Sequence, residues 1–409
     1  MGRLNKLTSR ALASGVMLAG ATVLTQGLFI QAAHAANIAC SDASLPPAVF
    51  VSGSSAVKPV LASLGAKLSG SVTIAYLSAG SCTGVAAMLG TAQTATTWTY
   101  WTPPVAPATA PVANSCDTAT AQVVDIGVSD VFATTCPAVT PALVTAAGIA
   151  DHDTFFNQVM EFVVPTSSDA HSISAEAAYL TFGLGNEGAT RWDNQDLLLI
   201  RDQNSGTEAM WSKVLKLPAT KWLGHNEGGS GAVFNDIVNK KNPVSAQAGD
   251  PQKLLGILSS GEADADTVNV KKLSFQDYGQ TCAFWPDSGI SAKDKKYVRD
   301  GHYPTWGPIH LLTKATLTTG VKAVLDAFSA QDQSILDLEI GAHVVPICAM
   351  NVTRDSEIGP MSSFQPTGSC GCYFDKATTA ATTCTPCTGT GTGTCTGGKV
   401  CNYGFCEAK

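Results

Sequence analysis

One short segment combines the residue types that bind oxyanions, because Arg201 is followed by Ser205, Gly206 and Thr207. An arginine guanidinium is a planar fork of donors that suits two oxygens of one anion. Hydroxyl residues and glycine at the start of a helix add side-chain donors and free backbone N–H groups. The same letters also form an ordinary helix cap, and an arginine at a strand end can pair with a surface carboxylate. Taken alone, the segment leaves both interpretations open.

The flanking residues predict that this segment joins a strand to a helix. Residues 197–200 are an apolar run typical of a short buried strand. Residues 207–215 have helical apolar spacing that ends before Pro218. Gly206 therefore lies where the helix is predicted to begin.

Three further strand ends in the first third of the chain deliver small polar or charged residues. Strand 48–51 runs into Ser55 and a helix over 57–68, strand 72–77 runs through Ser81 into a helix over 85–89, and strand 123–128 ends at Asp130. Strands that alternate with helices predict parallel sheets, and ligands bind beyond the carboxyl ends of such strands. We therefore expect these residues to meet Arg201 in one cleft.

A second α/β unit is predicted after the apolar stretch 155–165, which we interpret as a crossing between two lobes. It includes the glycine-rich turn 228–231 ahead of another helix, and residues 303–312 are predicted to return the chain to the first lobe. The predicted domains are a signal peptide over 1–35, a first lobe over 36–160 with its return over 303–352, a second lobe over 161–302, and a linker with a Cys-rich tail over 353–409. Residues 91–120 are predicted to form a surface loop whose aromatic residues pack on the flank of the protein, pinned by a Cys116–Cys136 pair.

The N-terminus has the pattern of a secretory signal peptide. Arg3, Lys6 and Arg10 precede an apolar run over 11–30, and Ala33-His34-Ala35 is a small-x-small cleavage site. An uncleaved anchor is the alternative, because the run approaches the length that spans a bilayer. We expect an exported, soluble mature protein in the periplasm, at the cell surface or outside the cell.

The cysteines are typical of an exported protein stapled by disulfides. Thirteen cysteines are present, and seven of them lie in the last forty residues. A zinc site at Cys384, Cys387 and Cys401 is the alternative, but no histidine follows His343. Disulfides are expected instead, at Cys40 as well as in the tail, which is too poor in apolar residues to form a core of its own. The odd number leaves one cysteine without a partner inside the chain.

The charge of the chain argues against nucleic acid as a partner. The formal net charge is −7, and removal of the predicted signal peptide would make the chain more acidic still. No basic cluster with interleaved aromatic residues is present to counter this charge. An anion site in this protein must therefore depend on local donors.

With these segments in order, the chain resembles the phosphate-binding proteins of bacterial phosphate ABC importers, within the two-lobed periplasmic solute-binding proteins. The resemblance spans roughly residues 48–350 and is carried by patches at 53–59, 76–84, 127–130 and 201–207. It implies an α/β fold of two lobes with two mixed sheets and a hinge, to which this chain adds a small disulfide-rich tail. It also implies a monomer that binds inorganic phosphate without catalysis, cofactor or metal, with an ABC permease as a partner.

The resemblance also implies roles for individual residues. Ser55 and Ser81 would offer hydroxyls, Ala56 a backbone N–H, Asp130 an acceptor, Arg201 the charged contact, and Ser205, Gly206 and Thr207 further donors. Phosphate keeps a proton near neutral pH and sulfate has none, so a buried Asp130 would accept a hydrogen bond from phosphate and repel sulfate. Gln203 stands where the family commonly has an acidic residue, which leaves Asp202 or a distant group to orient Arg201.

Two other classes of function remain open at this point. Ser55-Ala56-Val57-Lys58 fits the S-x-x-K pattern of penicillin-recognising serine enzymes, although Val131 follows Ser129-Asp130 where that class has asparagine, and no Lys-Thr-Gly or Lys-Ser-Gly triplet occurs. In the second alternative, the Cys-rich tail binds a cell-surface partner and the two-lobed body is a spacer. We take capture of phosphate, for ABC import or for scavenging, as the leading hypothesis.

Overall fold

The computed structural model describes residues 37–380, 382–389, 391 and 394–408, and the predicted signal peptide lies outside this part. The strands are β1 (Ile38–Ala39), β2 (Ala48–Gly53), β3 (Thr73–Ser78), β4 (Thr97–Thr102), β5 (Val112–Asp117), β6 (Ile126–Ser129), β7 (Ile149–His152), β8 (Phe156–Pro165), β9 (Ser172–Ser174), β10 (Leu198–Ile200), β11 (His225–Asn226), β12 (Leu255–Ser259), β13 (Val270–Lys272), β14 (Ser274–Gln276), β15 (Trp306–Pro308), β16 (His310–Lys314), β17 (Val345–Pro346), β18 (Val352–Thr353), β19 (Ser362–Ser363), β20 (Val400–Asn402) and β21 (Phe405–Glu407). The helices are α1 (Lys58–Leu68), α2 (Ser81–Met88), α3 (Pro141–Ala146), α4 (Ala175–Leu184), α5 (Gly206–Leu215), α6 (Ser230–Asn239), α7 (Ser260–Ala263), α8 (Lys296–Arg299), α9 (Thr319–Ser329), α10 (Gln333–Gly341) and α11 (Gly371–Thr379).

The first sheet is mixed, with a parallel centre. Its strand order is β1-β5-β4-β3-β2-β6-β16-β7. Strands β3, β2 and β6 are parallel, as the βα repeats predicted, whereas β16 runs antiparallel to β6 and β7. The three parallel strands therefore end at one edge, where Ser54, the start of α2 and Asp130 follow them.

The prediction of a surface loop over 91–120 was wrong for residues 97–102 and 112–117, which form strands. Strands β4 and β5 form an antiparallel hairpin that extends the first sheet beyond β3. The Thr-, Ala- and Pro-rich composition hid the alternation of β4, in which Trp98, Tyr100 and Trp101 are buried. Packing of these aromatic residues against the protein's own body is confirmed, because Trp98 makes an edge contact with Phe50 at 4.9 Å between ring centroids.

The second sheet is also mixed and is organised around β8. Its order is β11-β10-β12-β8-β13, and β15 and β17 also pair with β8. Strands β10, β11 and β12 are parallel to one another, while β8 is antiparallel to β12 and β13. All ten residues of β8 are buried, and they include the polar residues Asn157, Gln158 and Glu161. The chain then passes from β15 on the second sheet to β16 on the first, within residues 303–314.

Aromatic packing fixes helix α5 against the second sheet. Trp211 on α5 lies 3.9 Å from Phe162 of β8 and 4.9 Å from Phe275 of β14, between ring centroids. All three side chains are fully buried. Since each large aromatic side chain contributes several kcal/mol when buried, this packing holds the N-terminus of α5 at the end of β10.

Two disulfides lie in the first-sheet region, and both differ from the predicted Cys116–Cys136 pair. Cys40 is joined to Cys116, and Cys82 is joined to Cys136. The prediction failed because Cys116 lies on β5, which pairs with the edge strand β1, while Cys136 follows β6 and lies near the start of α2. The disulfide expected at Cys40 is confirmed.

The C-terminal tail is stapled by disulfides, as predicted. Its pairs are Cys348–Cys370, Cys372–Cys384, Cys387–Cys401 and Cys395–Cys406. Glu407 of β21 caps α11 by accepting from the N–H groups of Cys372, at 2.7 Å, and Tyr373, at 3.2 Å. Cys282 is the odd thiol among the thirteen cysteines, all of which the structure describes, and it is exposed.

Residues Asn37–Lys409 cluster as one unit that contains both large sheets. The α/β fold with two mixed sheets is therefore present, whereas the predicted lobe limits at 160, 302 and 352 stay a prediction. Within the described part of the chain, no helix has both the length and the apolar character needed to cross a bilayer.

Candidate functional site

The ends of β2, β6 and β10 and the start of α2 meet at one place. Gly53, the last residue of β2, has a φ of +141°, and a Cβ there would lie 2.0 Å from the carbonyl oxygen of Val128 on β6. Only glycine permits this approach of the two strands. The approach brings Ser54, directly after β2, beside Asp130, directly after β6.

Asp130 is the buried acceptor of the site. Its side chain accepts hydrogen bonds from the hydroxyls of Ser54 and of Ser81, the latter at 3.2 Å. Its own backbone N–H donates to Ser81 Oγ at 3.1 Å, so Ser81 is held to Asp130 by two hydrogen bonds. Tyr76 donates its hydroxyl to the carbonyl of Ser54 and thereby fixes the loop after β2. Asp130 is only 2% exposed.

Burial raises the pKa of Asp130 to about 6. The hydrogen bonds from Ser54 and Ser81 and the positive charge of Arg201 lower the pKa, but they only partly offset the loss of hydration. At neutral pH the group is therefore a carboxylate that can only accept hydrogen bonds. A ligand that donates a hydrogen bond to Asp130 would satisfy the acceptor capacity of this carboxylate.

Arg201, directly after β10, is the cation of the site and is 3% exposed. Its Nη1 donates to Ser230 Oγ at 2.7 Å, and its Nη2 donates to Ser55 Oγ and to the carbonyl of Gly228, each at 3.3 Å. Within the described residues, no carboxylate forms an ion pair with this guanidinium, and its Nε has no hydrogen-bond partner. Burial lowers the pKa of Arg201, but arginine remains charged in proteins.

Glu208 on α5 holds the backbone, not the guanidinium, of Arg201. Its Oε2 accepts from the Arg201 N–H at 2.8 Å. Burial raises the pKa of Glu208 to about 8. Asp202, which the sequence offered as a partner for the arginine, instead accepts from the N–H of Asn204 at 2.8 Å. The guanidinium is therefore oriented by the carbonyl of Gly228 and the hydroxyl of Ser230, where the chain enters α6, and by the hydroxyl of Ser55.

The N-terminus of α5 faces Asp130 and Ser81. Ser205 caps the helix by accepting from the N–H of Glu208 at 3.4 Å. A Cβ at Gly206 would lie 2.3 Å from Ser81 Oγ and 2.8 Å from Asp130 Oδ2, so this glycine touches the acceptor side of the site. Thr207 is 1% exposed. The first N–H groups of a helix have no partner within it, so α5 directs donors and partial positive charge at this point.

Residues from the two sheets are in direct contact across the site. Ser55 Oγ lies 2.9 Å from Ser230 Oγ, and the N–H of Cys82 donates to the carbonyl of Asn204 at 2.9 Å. The arrangement is therefore a closed one in which donors from both sides converge. The N–H of Ala56 donates to Ser54 Oγ at 3.1 Å and so belongs to the loop that carries Ser55.

All eight residues singled out from the sequence lie in or directly beside this site; they are Ser55, Ala56, Ser81, Asp130, Arg201, Ser205, Gly206 and Thr207. Sequence reasoning missed Ser54 and Ser230, which contact Asp130 and Arg201 respectively. The signal for Ser230 was the Gly-Gly-Ser-Gly turn ahead of a helix, the same combination as at Ser205. For Ser54, two adjacent serines left the choice between them open.

The S-x-x-K pattern does not form a catalytic pair in this structure. Lys58 is exposed, and Ser55 Oγ contacts Arg201 and Ser230. The hydrogen bond between these two residues runs from the backbone N–H of Lys58 to the carbonyl of Ser55, and among the described residues none joins their side chains. A serine nucleophile needs a base within hydrogen-bond reach, so this geometry gives no support to acyl-serine chemistry.

A separate buried cluster of charges lies near β8 and β13. Lys272 Nζ lies 2.8 Å from Asp264 Oδ1, and Lys295 Nζ lies 3.0 Å from Asp287 Oδ1. Glu161 completes the cluster, and burial raises its pKa to about 8. Since the two lysines balance the charges of Asp264 and Asp287, and Glu161 has the raised pKa, we interpret the cluster as a structural ion-pair network.

Comparison with known proteins finds similarity in structure only, since neither a family model nor a curated protein sequence matches this chain. A phosphate ABC transporter substrate-binding protein from Clostridium perfringens, solved with phosphate bound, superposes with a TM-score of 0.50 at 16% identity, covering 73% of this chain and 99% of that one. An ABC-type phosphate transport receptor from Vibrio cholerae gives 0.44 at 15% identity, covering 73% and 99%. A phosphate-binding protein from Planctomyces limnophilus gives 0.42 at 14%, covering 74% and 93%.

At this low identity the likeness shows the fold alone. The chain has the fold of the C. perfringens substrate-binding protein, which confirms the two-sheet architecture expected for the class.

Proposed function

We propose that this protein is exported and captures inorganic phosphate in the cleft where Asp130 and Arg201 meet. The observation that carries the proposal is the pairing of a buried acceptor with a buried cation. Asp130 accepts, Arg201 donates, and the N-terminus of α5 faces Asp130 through Gly206. A site with one acceptor among many donors suits an oxyanion that carries a single proton.

Such a site distinguishes phosphate from sulfate by their protons. Phosphate near neutral pH can donate its remaining proton to Asp130, whereas sulfate has no proton to donate and its oxygens would face a carboxylate. A buried acceptor without a partner is costly, and rejection by 10⁴-fold or more is typical where a site requires a hydrogen bond that the analogue cannot make. Hinge motion between open and closed arrangements would admit and release the ligand.

The fold supports a binding role without catalysis. The C. perfringens protein of the same fold is described as a phosphate ABC transporter substrate-binding protein and was solved with phosphate bound. Export is supported by the signal-peptide pattern and by six disulfides, which persist in oxidising compartments. Delivery to an ABC permease and scavenging without one are both consistent with this role. A surface partner for the Cys-rich tail stays a prediction.

Calorimetry on the full-length mature protein, purified and stripped of bound anions, tests the proposal. We expect phosphate to bind and sulfate to bind weakly, and Arg201→Ala to lower phosphate affinity about hundredfold or more, because a buried charged donor is lost. Arg191→Ala is the matched control, since Arg191 pairs with Asp169 at the surface and the variant removes the same charge. Absence of phosphate binding by the wild-type protein would reject the proposed function.

The role of Asp130 is tested in the same way. Asp130→Asn keeps an acceptor oxygen for Ser54 and Ser81 but removes the negative charge that repels sulfate. We expect the ratio of phosphate to sulfate affinity to fall by at least about tenfold. An unchanged ratio would show that Asp130 only organises the loop.

A further inference from the structure

Helix α11 of the Cys-rich tail contacts a helix that packs on the first sheet. Tyr373, in the first turn of α11, donates its hydroxyl to Asp337 on α10. Tyr403, between β20 and β21, donates to the carbonyl of Gln331, two residues before α10, at 2.7 Å. Helix α10 belongs to the body of the first sheet, because its Ile335 is buried in the same core cluster as the buried apolar residues of β2 and α1.

The same helix also holds an arginine that belongs to the body of the second sheet. Asp375 on α11 accepts from Arg299 Nη1, and the ring of Phe374 lies 5.0 Å from the guanidinium carbon of Arg299. Arg299 is the last residue of α8. Lys295, directly before α8, is paired with Asp264 in the buried cluster of charges near β8 and β13. Helix α8 is therefore tied to the second sheet.

Tyr373 and Asp375 extend from different sides of α11. Successive residues of an α-helix are rotated by about 100°, so residues two apart point in nearly opposite directions. Their partners accordingly lie on two different helices, α10 for Tyr373 and α8 for Asp375. Helix α11 thus lies between the two bodies and contacts both of them.

Disulfides keep α11 in this position. Cys370, directly before the helix, is joined to Cys348, two residues after β17, and β17 pairs with β8 of the second sheet. Cys372 is joined to Cys384, and the N–H of Cys372 is capped by Glu407. A helix of nine residues is marginal in water by itself, so these links supply the rigidity that it needs to connect two bodies.

Both contacts of α11 occur together with the closed cleft, in which Ser55 Oγ lies 2.9 Å from Ser230 Oγ. In the proposed hinge motion, the body of one sheet turns relative to the other, and the separation of α10 and α8 changes. Side-chain hydrogen bonds weaken steeply with distance and angle, so a rigid α11 would lose its contact at one end. The two contacts therefore stabilise the closed arrangement relative to an open one.

We propose that α11 is an internal brace that holds the bodies of the two sheets in the closed arrangement, with Tyr373 and Asp375 as its positioning residues. The fraction of molecules in the binding-competent form sets the apparent affinity, so the brace raises phosphate affinity without contacting phosphate. This effect on affinity rests on the proposed function, whereas the effect on the shape of the protein does not. The Cys-rich tail thereby has a role inside the protein.

Two substitutions release the brace at one end or the other. Tyr373→Phe removes the hydroxyl that binds Asp337, and Asp375→Ala removes the carboxylate that binds Arg299. We expect either variant to weaken phosphate binding by about threefold to tenfold, because the closed form becomes less populated. The double variant should be within about twofold of the weaker single variant, since a brace that is cut at one end no longer connects the two bodies. Tyr179→Phe and Asp196→Ala are the matched controls, because both residues are exposed.

Calorimetric titration with inorganic phosphate measures the affinities, and small-angle X-ray scattering measures the shape of the anion-stripped proteins. We expect the three brace variants to have a larger radius of gyration than wild type without phosphate and the same radius at saturating phosphate. Wild-type affinity and radius in all three variants, or tighter binding by any of them, would overturn the inference, even if the melting temperature falls. Absence of phosphate binding by the wild-type protein would reject the proposed function, and the scattering of the anion-stripped proteins would still decide whether α11 is a brace.

Discussion

At the scale of single residues, the chemistry of the site depends on two buried ionisable groups held in opposite ways. Asp130 is surrounded by hydroxyl donors, and Arg201 by neutral acceptors. Neither group is paired directly with the other by an ion pair among the described residues. Both therefore keep capacity for a ligand, and both lower the stability of the protein when no ligand is bound, because their charges are buried.

The pKa of Asp130 predicts how stability varies with pH. Its pKa in the fold is about 6, above the ordinary 3.8, so its favourable contribution is complete below pH 3.8 and is lost as pH rises through 6. Since each pKa unit corresponds to about 1.4 kcal/mol, the ionised carboxylate costs the phosphate-free fold roughly 3 kcal/mol at neutral pH. Asp130→Asn should remove this loss.

We therefore expect the free energy of unfolding of Asp130→Asn, relative to wild type, to increase by roughly 2 kcal/mol between pH 4 and pH 8, since part of the difference has already developed at pH 4. Denaturant titrations of both proteins in phosphate-free buffers at several pH values measure the difference. A difference that stays constant across this range would show that Asp130 is not a buried titrating group.

At the scale of elements, the first residues of three helices assemble the site. Helices α2, α5 and α6 begin at Ser81, Gly206 and Ser230, and all three residues are at the site. The Cys82–Cys136 disulfide joins the first turn of α2 to the segment after Asp130 and so holds two of the contributing loops together. Strand pairing sets the remaining distances, because β2 and β6 are adjacent and in parallel register.

Gly206 offers a test of how tightly α5 must approach the first sheet. In Gly206→Ala the new Cβ would lie 2.3 Å from Ser81 Oγ, so α5 would have to move away from Asp130. We expect phosphate affinity to fall at least about tenfold while the melting temperature is kept, since alanine favours a helix more than glycine does. Gly231→Ala is the control, because a Cβ at Gly231, also in the first turn of a helix, meets nothing within 4 Å. Equal affinities of the two variants would contradict the close approach.

At the scale of the whole molecule, the site lies where residues carried by the two large sheets meet. Contacts such as Ser55 to Ser230 and Cys82 to Asn204 must break for a buried ligand to enter. These are a few hydrogen bonds, so the two sides can separate at modest cost and close again when the ligand replaces the lost contacts. The Cys-rich tail is fastened to this body by Cys348–Cys370.

This arrangement predicts that phosphate shifts the protein towards the closed form. Small-angle X-ray scattering of the anion-stripped wild-type protein should show a smaller radius of gyration after phosphate is added. Arg201→Ala should show no such change at the same phosphate concentration, because the ligand no longer bridges the two sides. Identical scattering of the wild-type protein with and without phosphate, at saturating occupancy, would contradict closure by the ligand.

The sequence by itself determined the local parts of this protein. The apolar runs and the residues that start helices predicted β2, β3, β10, α1 and α5 to within about two residues, because period and capping are properties of neighbouring residues. The resemblance in four short patches supplied the eight site residues. The alternation of β4 and β5 was missed, since their Thr-, Ala- and Pro-rich composition is typical of loops.

Only the tertiary structure decided which distant groups meet. The pairing of Cys40 with Cys116 and of Cys82 with Cys136 depends on which strands are neighbours, and the sequence does not encode this locally. The same holds for Arg201, whose expected carboxylate partner is replaced by Ser230, 29 residues further along the chain. The raised pKa of Asp130 is also a tertiary property, because burial is its main cause. Residue types along the chain thus specified the chemistry of the site, while the packing of the two sheets specified its geometry and the pKa of its acidic group.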